Sequence, residues 1–329
     1  MYHSIVLADF IECFVLLREW KKSRGLNWPD IEKINAKLQA MTRFLEAMTY
    51  ADGTLALFND SANENFARPL PIISSAHQIC GESRKTASHN FTETGYYCWS
   101  SFDGSERIVV DAGPMSVDYN MAHAHCDLLS YEMWLQGKPF IVDSGVHGYG
   151  GDRFREYARS TRAHNTVMFD DHEQAELWGT FRVARRARVV YASAKGNEST
   201  WNFCGAYTPF YDSRVTHERQ IRRESDGTWI ITDTANNDSV SKASSFIHLH
   251  PDIQVKQNVS SQSIECSNES LSVLIEPFAA ENVQVSKGSE HPIQGWYFPA
   301  FGVTQQSATI QFDYRVRAGQ QFGYRIRKL

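Results

Sequence analysis

Apolar residues at the start of the chain recur every three or four positions, which is the period of a helix. The run from His3 to about Lys22 is rich in leucine, isoleucine, valine and phenylalanine, and Gly25 supplies a stop. A second series starts at residues 27–30, Asn-Trp-Pro-Asp, where a capping residue precedes a first-turn proline and acid. Its apolar members share one helical face: Ile31, Ile34, Leu38, Met41, Leu45 and Met48. The pattern predicts two antiparallel helices that form a hairpin.

From about residue 70 the pattern changes to short runs of β-branched and aromatic residues, separated by glycine, serine, asparagine and proline. Examples are ERIVVDAG, PFIVDSG, RARVVYASA and TWIITDTA. No helical pattern separates these runs, so the sequence predicts an antiparallel sandwich rather than a parallel sheet with crossover helices. The predicted class is α+β, with a short N-terminal helical segment over residues 1–70 and a large antiparallel β-sandwich over residues 71–329.

Composition and charge limit the classes of partner. The chain has 329 residues, of which 42% are hydrophobic and 22% are charged, as in ordinary globular domains. The formal net charge of −5 argues against nucleic acid or an anionic membrane as a partner of the whole molecule. No apolar run is long enough to span a bilayer, and the first residues lack the pattern of a signal peptide. An anionic ligand therefore requires a local basic cluster, and the compartment is left open.

Six cysteines are scattered along the chain without a CxxC pair: Cys13, Cys80, Cys98, Cys126, Cys204 and Cys266. Their spacing matches neither a zinc ribbon nor the dense disulfide framework of small secreted domains. We expect isolated, mostly buried thiols rather than cross-links.

The segment whose residue types most clearly indicate a catalytic or metal site is HAHCDLLSYEMW. It begins at His123 and is followed by Asp143 at the end of the next apolar run. If this segment is a strand, His123 and His125 point to the same face, because side chains alternate along a strand. Two imidazoles and a carboxylate make a mixed nitrogen and oxygen site suited to zinc. His164, within RSTRAHNT, offers a third imidazole beside arginines. Any one of these histidines could equally be a hydrogen-bonded structural residue, so only the set favours a metal site.

Basic and aromatic residues near the third histidine indicate how an acidic ligand is held. Arg159 and Arg162 precede that histidine, and a guanidinium pairs with carboxylate or sulfate through two hydrogen bonds. Tyr149 and Trp178 can stack on sugar rings, although aromatic residues in a sandwich usually belong to the core. We predict these four residues as substrate contacts and interpret the arginines between residues 182 and 188 as a solvated strand face.

Two strings, HAHCDLLSYEMWLQGKPFIVDSG and RSTRAHNTVMFDDHEQAELWG, resemble the signature of the heparinase II/III-like C-terminal domain. That signature runs His-x-His-x-Asp, a strand, a Gly-x-Pro turn, an aspartate, and then Arg-x-His-Asn-Thr. The resemblance implies a helical (α/α) toroid followed by an antiparallel β-sandwich, with the helical segment of this chain as the end of the toroid. It also implies an enzyme that cleaves acidic, uronic-acid-containing polysaccharide by β-elimination.

The resemblance also assigns roles to individual residues. His123 matches the catalytic histidine of the family, and Tyr2 matches a tyrosine, in a Tyr-His pair, that serves as catalytic acid and base. His125, Asp143 and His164 match its zinc ligands. The reaction fits these residue types, because it needs a base for the proton next to the uronate carboxylate and an acid for the leaving oxygen. Imidazole works near neutral pH, whereas a tyrosine base needs nearby positive charge to lower its pKa.

The resemblance is incomplete at the front of the chain, because family members carry several more helical hairpins before the Tyr-His pair. Two helices do not close a toroid, so we expect a truncated chain that is inactive unless another segment completes the cleft. The alternative is a non-catalytic carbohydrate-binding or structural sandwich that retains the zinc site. A third hypothesis takes the His-x-His pair with Glu132 and Gly137 as the metal motif of a cupin dioxygenase, and it ranks last because the spacing is too long. A homo-oligomer is left open.

Overall fold

The computed structural model describes residues 1–25, 30–64, 66, 68–82 and 86–329. The chain divides into two compact units. The first, called the helical unit, consists of Met1–Ala56 and Ser61–Thr86, and the second, called the β unit, consists of Leu57–Asp60 and Ala87–Leu329. None of the helices within the described ranges is long and apolar enough to cross a membrane.

Within the described residues, the helical unit contains three α-helices: α1 (Tyr2–Arg24), α2 (Ile31–Met48) and α3 (Pro69–Cys80). Helix α1 ends at Gly25, whose φ of 61° gives a left-handed cap, so the predicted stop is confirmed. All six apolar residues of the predicted α2 face are buried or half-buried. The predicted start of that helix at residues 27–29 lies outside the described residues.

Helix α3 is absent from the sequence prediction, which treats Pro69 and Pro71 as punctuation between strands. Proline is tolerated in a first helical turn, because the first amide groups of a helix have no intrahelical partner. Pro69 is the first residue of α3, and Pro71 follows within the same turn. At the other end of the helix, Gln39 Nε2 donates a hydrogen bond to Cys80 O at 2.6 Å. This bond joins α2 to α3 within the helical unit.

The β unit contains one further α-helix, α4 (Arg153–Arg159), a short 3-10 helix (Thr161–Ala163) and many short strands. In chain order the strands are β1 (Ser88–Phe91), β2 (Tyr96–Ser100), β3 (Glu106–Asp111), β4 (Tyr131–Leu135), β5 (Lys138–Ile141), β6 (Val167–Phe169), β7 (Ala175–Trp178), β8 (Arg182–Arg186), β9 (Arg188–Gly196), β10 (Trp201–Thr208), β11 (His217–Arg223), β12 (Trp229–Ala235), β13 (Lys242–His248), β14 (Gln254–Asn258), β15 (Ser263–Ser267), β16 (Ser272–Phe278), β17 (Ala280–Lys287), β18 (Ser289–Glu290), β19 (Ile293–Gln294), β20 (Trp296–Tyr297), β21 (Gln305–Gln306), β22 (Ala308–Arg315) and β23 (Phe322–Lys328).

Three sheets form most of the β unit. A five-stranded sheet has the order β1-β2-β3-β4-β5, and an eight-stranded sheet has the order β14-β15-β16-β23-β12-β11-β10-β9. A four-stranded sheet has the order β17-β22-β13-β6, and three two-stranded ribbons pair β7 with β8, β18 with β19 and β20 with β21. The pairings in the two largest sheets are antiparallel, as the short, turn-separated strands predicted.

The core of the β unit lies between the five-stranded and eight-stranded sheets. Trp99 on β2 packs against Trp229 on β12 with ring centroids 5.5 Å apart, and Tyr97 packs against Phe203 on β10 at 5.3 Å. All four side chains are at most 2% exposed and belong to one apolar cluster. Full burial of a large apolar side chain contributes about 2 kcal/mol to stability. The predicted class, a helical segment followed by a large antiparallel β-sandwich, is confirmed.

Two parts of the β unit differ from the sequence prediction. The segment that carries the histidine pair is irregular up to β4, and Leu129 adopts a φ of 61°, which a strand does not permit. The prediction of a strand at His123 and His125 is therefore wrong, although both imidazoles reach one carboxylate, that of Asp60. Helix α4 interrupts the series of strands, and Asp152 caps it by accepting a hydrogen bond from Arg155 N at 2.9 Å. A helix of seven residues is too short for its periodicity to be recognised in the sequence.

The cysteines form no cross-links. All six are free thiols, and four of them are buried, so the expectation of isolated, mostly buried thiols is confirmed. Burial raises the pKa of Cys126, the thiol beside the histidine pair, and keeps it protonated.

Candidate functional site

The candidate site is assembled from separate segments of the β unit. One buried glutamate, Glu132 on β4, ties two of them together, because its Oε1 accepts hydrogen bonds from Leu57 N at 2.8 Å and from Asp143 N at 3.1 Å. Asn59 N donates to Asp127 Oδ2 at 3.1 Å, which joins the 57–60 segment to the loop before β4. The cupin hypothesis required Glu132 as a metal ligand, and its use by two backbone amides does not support that hypothesis.

Asp60 lies at the centre of the site, although the sequence analysis assigns it no role. Its carboxylate is 1% exposed and accepts hydrogen bonds from His123 Nδ1 and His125 Nε2, each at 2.8 Å. Arg155, equally buried, pairs with both carboxylate oxygens, and its Nη2 lies 3.0 Å from Oδ2. Burial by itself raises the pKa of Asp60, but His125 and Arg155 outweigh burial and lower this pKa well below its ordinary value. Asp60 is therefore ionised near neutral pH.

His123 is the histidine of the site that reaches the surface. Its side chain is 39% exposed, whereas His125 and His164 are fully buried. The hydrogen bond from Nδ1 to Asp60 selects the tautomer that has its lone pair on Nε2. The ring lies 5.7 Å from the ring of Tyr149, centroid to centroid. An imidazole that is oriented by a buried carboxylate is suited to general acid and base chemistry.

His125 and His164 lie side by side in the interior, with ring centroids 5.4 Å apart. Each ring is held by a carboxylate on one nitrogen: His125 Nε2 by Asp60 at 2.8 Å and His164 Nδ1 by Asp143 at 2.7 Å. The other nitrogens, His125 Nδ1 and His164 Nε2, have no hydrogen-bond partner among the described residues. A carboxylate on one imidazole nitrogen fixes the tautomer and directs the lone pair of the opposite nitrogen to a metal ion.

This buried cluster fits a divalent metal ion. One donor atom each from His125, Asp127 and His164 lies within 4.8 Å of the others. Imidazole nitrogen and carboxylate oxygen are donors that zinc accepts. Fully buried polar atoms without partners are destabilising unless a ligand binds them. Burial raises the pKa of Asp127 to about 7, and the charge of Asp143 adds to this increase while His164 opposes it.

Of the three residues predicted as metal ligands, His125 and His164 lie in this cluster, whereas Asp143 pairs with His164 without belonging to it. His125 and His164 present unpartnered nitrogens. Asp143 binds the opposite nitrogen of His164, and Asp127 is the carboxylate grouped with the two histidines. Sequence reasoning missed Asp127, which is the aspartate of the His-x-His-x-Asp string.

Asn165 fastens the segments around His164. Its Nδ2 donates to Tyr131 O at 2.8 Å and Val142 O at 2.9 Å, and its Oδ1 accepts a hydrogen bond from His248 N at 2.7 Å. These bonds join the start of β4 and the end of β5 to the end of β13. The positions of His164 and Asp143 therefore depend on this fully buried amide.

The two arginines predicted as substrate contacts differ in their surroundings. Arg159 is 1% exposed and donates to three carbonyl oxygens, those of Ala124, Gly179 and Arg182, at 3.1, 2.7 and 3.4 Å. These hydrogen bonds therefore connect the loop that carries His123 and His125 to the turn between β7 and β8. Arg162 is half-buried, and its guanidinium forms no hydrogen bond or ion pair within the part of the chain that the structure describes.

The structure places the predicted aromatic residues on separate elements, and among them the ring of Tyr149 lies beside His123. The half-buried ring of Tyr149 contacts Phe181 and Phe301, with centroids 5.6 and 5.1 Å away. Trp178, at the end of β7, is 54% exposed. Tyr2 is the first residue of α1 in the helical unit and is 46% exposed.

A family model described as "Heparinase II/III-like, C-terminal" matches residues 83–325. Two curated relatives are heparin-sulfate lyases. The protein from Bacteroides stercoris is 26% identical over 147 residues, which are 40% of this chain and 22% of the relative. The protein from Pedobacter heparinus is 20% identical over 191 residues, which are 52% of this chain and 28% of the relative.

Solved structures share the fold. The crystal structure of heparan sulfate lyase HepC from Pedobacter heparinus aligns with a TM-score of 0.76 and 18% identity over 99% of this chain and 51% of that chain. A crystal structure of heparinase III aligns with a TM-score of 0.74 and 17% identity over 100% of this chain and 53% of that chain. The chain thus spans about half the length of these structures. Because the family model matches well over half of its residues, this chain belongs to the heparinase II/III-like family through the C-terminal domain of that family.

Proposed function

We propose that this chain is part of a polysaccharide lyase that cleaves uronic-acid-containing acidic polysaccharide by β-elimination. The observation that carries the proposal is the His123–Asp60 pair, in which a part-exposed imidazole has its Nδ1 2.8 Å from a buried carboxylate. The names of the relatives refer to heparin and heparan sulfate, and this is the substrate class proposed for the present chain.

The β-elimination requires a base for the proton that leaves C5 and an acid for the glycosidic oxygen that leaves C4. A base removes the proton at C5 of the uronate, and the C5–H electron pair forms the C4–C5 double bond. The bond from C4 to the glycosidic oxygen then breaks, and an acid protonates that oxygen. His123 is one partner in this exchange and Tyr2 is the other, on the strength of the Tyr-His resemblance. Asp60 keeps His123 in its tautomer and stabilises the imidazolium that forms when the ring accepts a proton.

Substrate binding is assigned to Arg162, Tyr149 and Trp178. The guanidinium of Arg162 has no ion pair within the described residues and can bind carboxylate or sulfate. The rings of Tyr149, beside His123, and of Trp178, more than half exposed, suit stacking against sugar rings. Arg159 has a structural role in this proposal, because its donors are used by backbone carbonyls.

Zinc is the metal proposed for the buried cluster, with His125, His164 and Asp127 as ligands. A bound zinc ion would supply positive charge beside the site. Asp60 and Asp143 orient the two imidazoles by binding the ring nitrogens that do not face the metal, Nε2 of His125 and Nδ1 of His164.

The test compares His123→Ala with wild type on heparan sulfate, following the ultraviolet absorbance of the 4,5-unsaturated uronate. We expect elimination to fall by at least about a hundredfold, as for loss of a general acid or base. Metal content, measured by mass spectrometry, should be unchanged because the two buried histidines remain. His172→Ala, which removes an exposed histidine, is the matched control. Full activity of His123→Ala would show the catalytic assignment to be wrong.

A second candidate is a carbohydrate-binding or structural sandwich without turnover. It is favoured by the composition of the buried cluster, which consists of His125, Asp127 and His164 and does not include His123. Binding of heparan sulfate without unsaturated product, in the natural polypeptide that contains this chain, would select this candidate.

A further inference from the structure

A large groove lies in the β unit, beside the loop that leads to His123. Its volume is about 1070 Å³, and residues 114–121, 183–189 and 208–213 contribute its walls. Pockets that enclose drug-sized ligands have volumes of about 300–1,000 Å³, so this groove has room for several linked sugar rings. Met121 lines the groove and precedes His123 by two residues.

Three arginines line this groove in a protein whose formal net charge is −5. Arg185 lies over the ring of Phe210, with 5.2 Å from the guanidinium carbon to the ring centroid. Arg186 pairs with Asp118. Arg188 is exposed, and its guanidinium forms no hydrogen bond or ion pair with any residue that the structure describes. A cluster of guanidinium groups beside an aromatic ring is suited to anionic sugars, because it combines charge pairing with ring stacking.

The acidic residues near these arginines are weak competitors for them. The carboxylate of Asp118 is 90% exposed, and the pair between Arg185 and Glu176 is formed by side chains that are 68% and 33% exposed. Ion pairs between exposed side chains contribute little to stability. A chain that carries several anionic groups can therefore displace these carboxylates.

We infer that this arginine groove is a second binding site for the acidic polysaccharide, which it holds through sulfate or carboxylate groups outside the point of cleavage. The inference rests on the proposed function for the class of ligand. It replaces the interpretation of these arginines as a solvated strand face.

The test measures binding of a size-defined heparin oligosaccharide to the full chain by calorimetry, in a His123→Ala background that prevents cleavage. We expect the double variant Arg185→Gln/Arg188→Gln to bind about fivefold more weakly or worse, since two guanidinium contacts to anions are lost. The difference should shrink as salt is raised, because salt screens exposed charges. The control is Arg325→Gln/Arg327→Gln on β23, which removes the same charge: Arg325 lies over Phe278, and Arg327 pairs with Glu276. Equal weakening in both double variants would overturn the inference.

A second variant is expected to bind the oligosaccharide more tightly, a result that misfolding cannot produce. Asp118→Asn removes the carboxylate that competes for Arg186 and should strengthen binding. Unchanged or weaker binding in this variant also contradicts the inference.

The ligand is identified by comparing heparin with unsulfated polygalacturonate and with single-stranded DNA. Dependence on the groove arginines for both polysaccharides assigns carboxylate recognition, and dependence for heparin alone assigns sulfate recognition. Equal dependence for DNA would reject a polysaccharide site. If the natural polypeptide that contains this chain binds heparin through the groove but forms no unsaturated product, this inference stands and the proposed function is wrong.

Discussion

Oδ2 of Asp143 lies 2.7 Å from Nδ1 of His164, and both side chains are fully buried. The bond leaves His164 Nε2 without a hydrogen-bond partner among the described residues, facing the cluster that contains Asp127. The sequence signature predicts Asp143 as a metal ligand, whereas in this geometry its carboxylate binds the nitrogen of His164 opposite the unpartnered one. The difference can be measured.

We predict that Asp127→Asn weakens zinc binding more than Asp143→Asn does. Loss of a residue that orients a metal-binding histidine reduces affinity by about 10–100-fold, and loss of a ligand should reduce it further. Affinity is measured by competition with a chelator. Asp233→Asn is the control. Asp233 Oδ1 lies 2.7 Å from His217 Nε2 in a second buried pair, which does not belong to the cluster. The reverse order of effects would return Asp143 to the ligand set.

Asp60→Asn should destabilise the β unit strongly. The substitution leaves the buried guanidinium of Arg155 without its counter-charge, and breaking a buried ion pair in this way costs about 3–5 kcal/mol. The free energy of unfolding in denaturant measures the effect. Asp212→Asn disrupts a pair with the exposed Arg214 and should change the free energy of unfolding far less. Similar losses in the two variants would contradict the central role of Asp60.

Asn165→Ala should reduce the free energy of unfolding by at least about 3 kcal/mol, because several buried backbone groups lose their partner together. The exposed Asn202 on β10 is the control, and its replacement by alanine should stay within about 0.5 kcal/mol of wild type. A small effect of Asn165→Ala would mean that other contacts hold the start of β4 and the ends of β5 and β13.

Stability should fall on acidification through the buried His217. Burial lowers the pKa of His217 below its usual 6.5, although Asp233 opposes this effect. The unfolded chain therefore binds more protons than the folded one below about pH 6.5, and the free energy of unfolding decreases as pH falls. His217→Phe removes the titrating group and keeps an aromatic ring between Phe169 and Tyr207. The stability difference between wild type and this variant should narrow from pH 7 to pH 5, and a widening gap would reverse the assigned direction.

The elements recognised from sequence are those whose signal is local and repeated. The α2 face and the Gly25 cap follow from periodicity and from the left-handed conformation that glycine accepts. Helix α3 was missed because the same prolines serve a helix start and a loop equally well. Helix α4 was missed because a few residues carry no resolvable period.

The candidate site shows the same division. The string from His123 to Asp127 is recognised by residue type. The predicted strand is absent there, because residues 121–130 form turns and irregular chain, and Leu129 within this stretch has a left-handed backbone. Asp60 stands 63 residues before His123 in the chain, and only packing brings its carboxylate to that ring. Arg159 and Arg162 look alike in sequence. In the structure Arg159 is buried and donates to backbone carbonyl oxygens, whereas Arg162 is half-buried and forms no ion pair within the described residues.

The sequence by itself determined the class of fold, the set of candidate histidines and the family signature, because side-chain periodicity and residue type are properties of a short stretch of chain. Tertiary structure alone decided which carboxylate holds which imidazole, which nitrogen is left for a metal ion and which arginine meets solvent. Those properties depend on distances of a few ångströms between residues far apart in the chain, and such distances exist only once the sheets have packed.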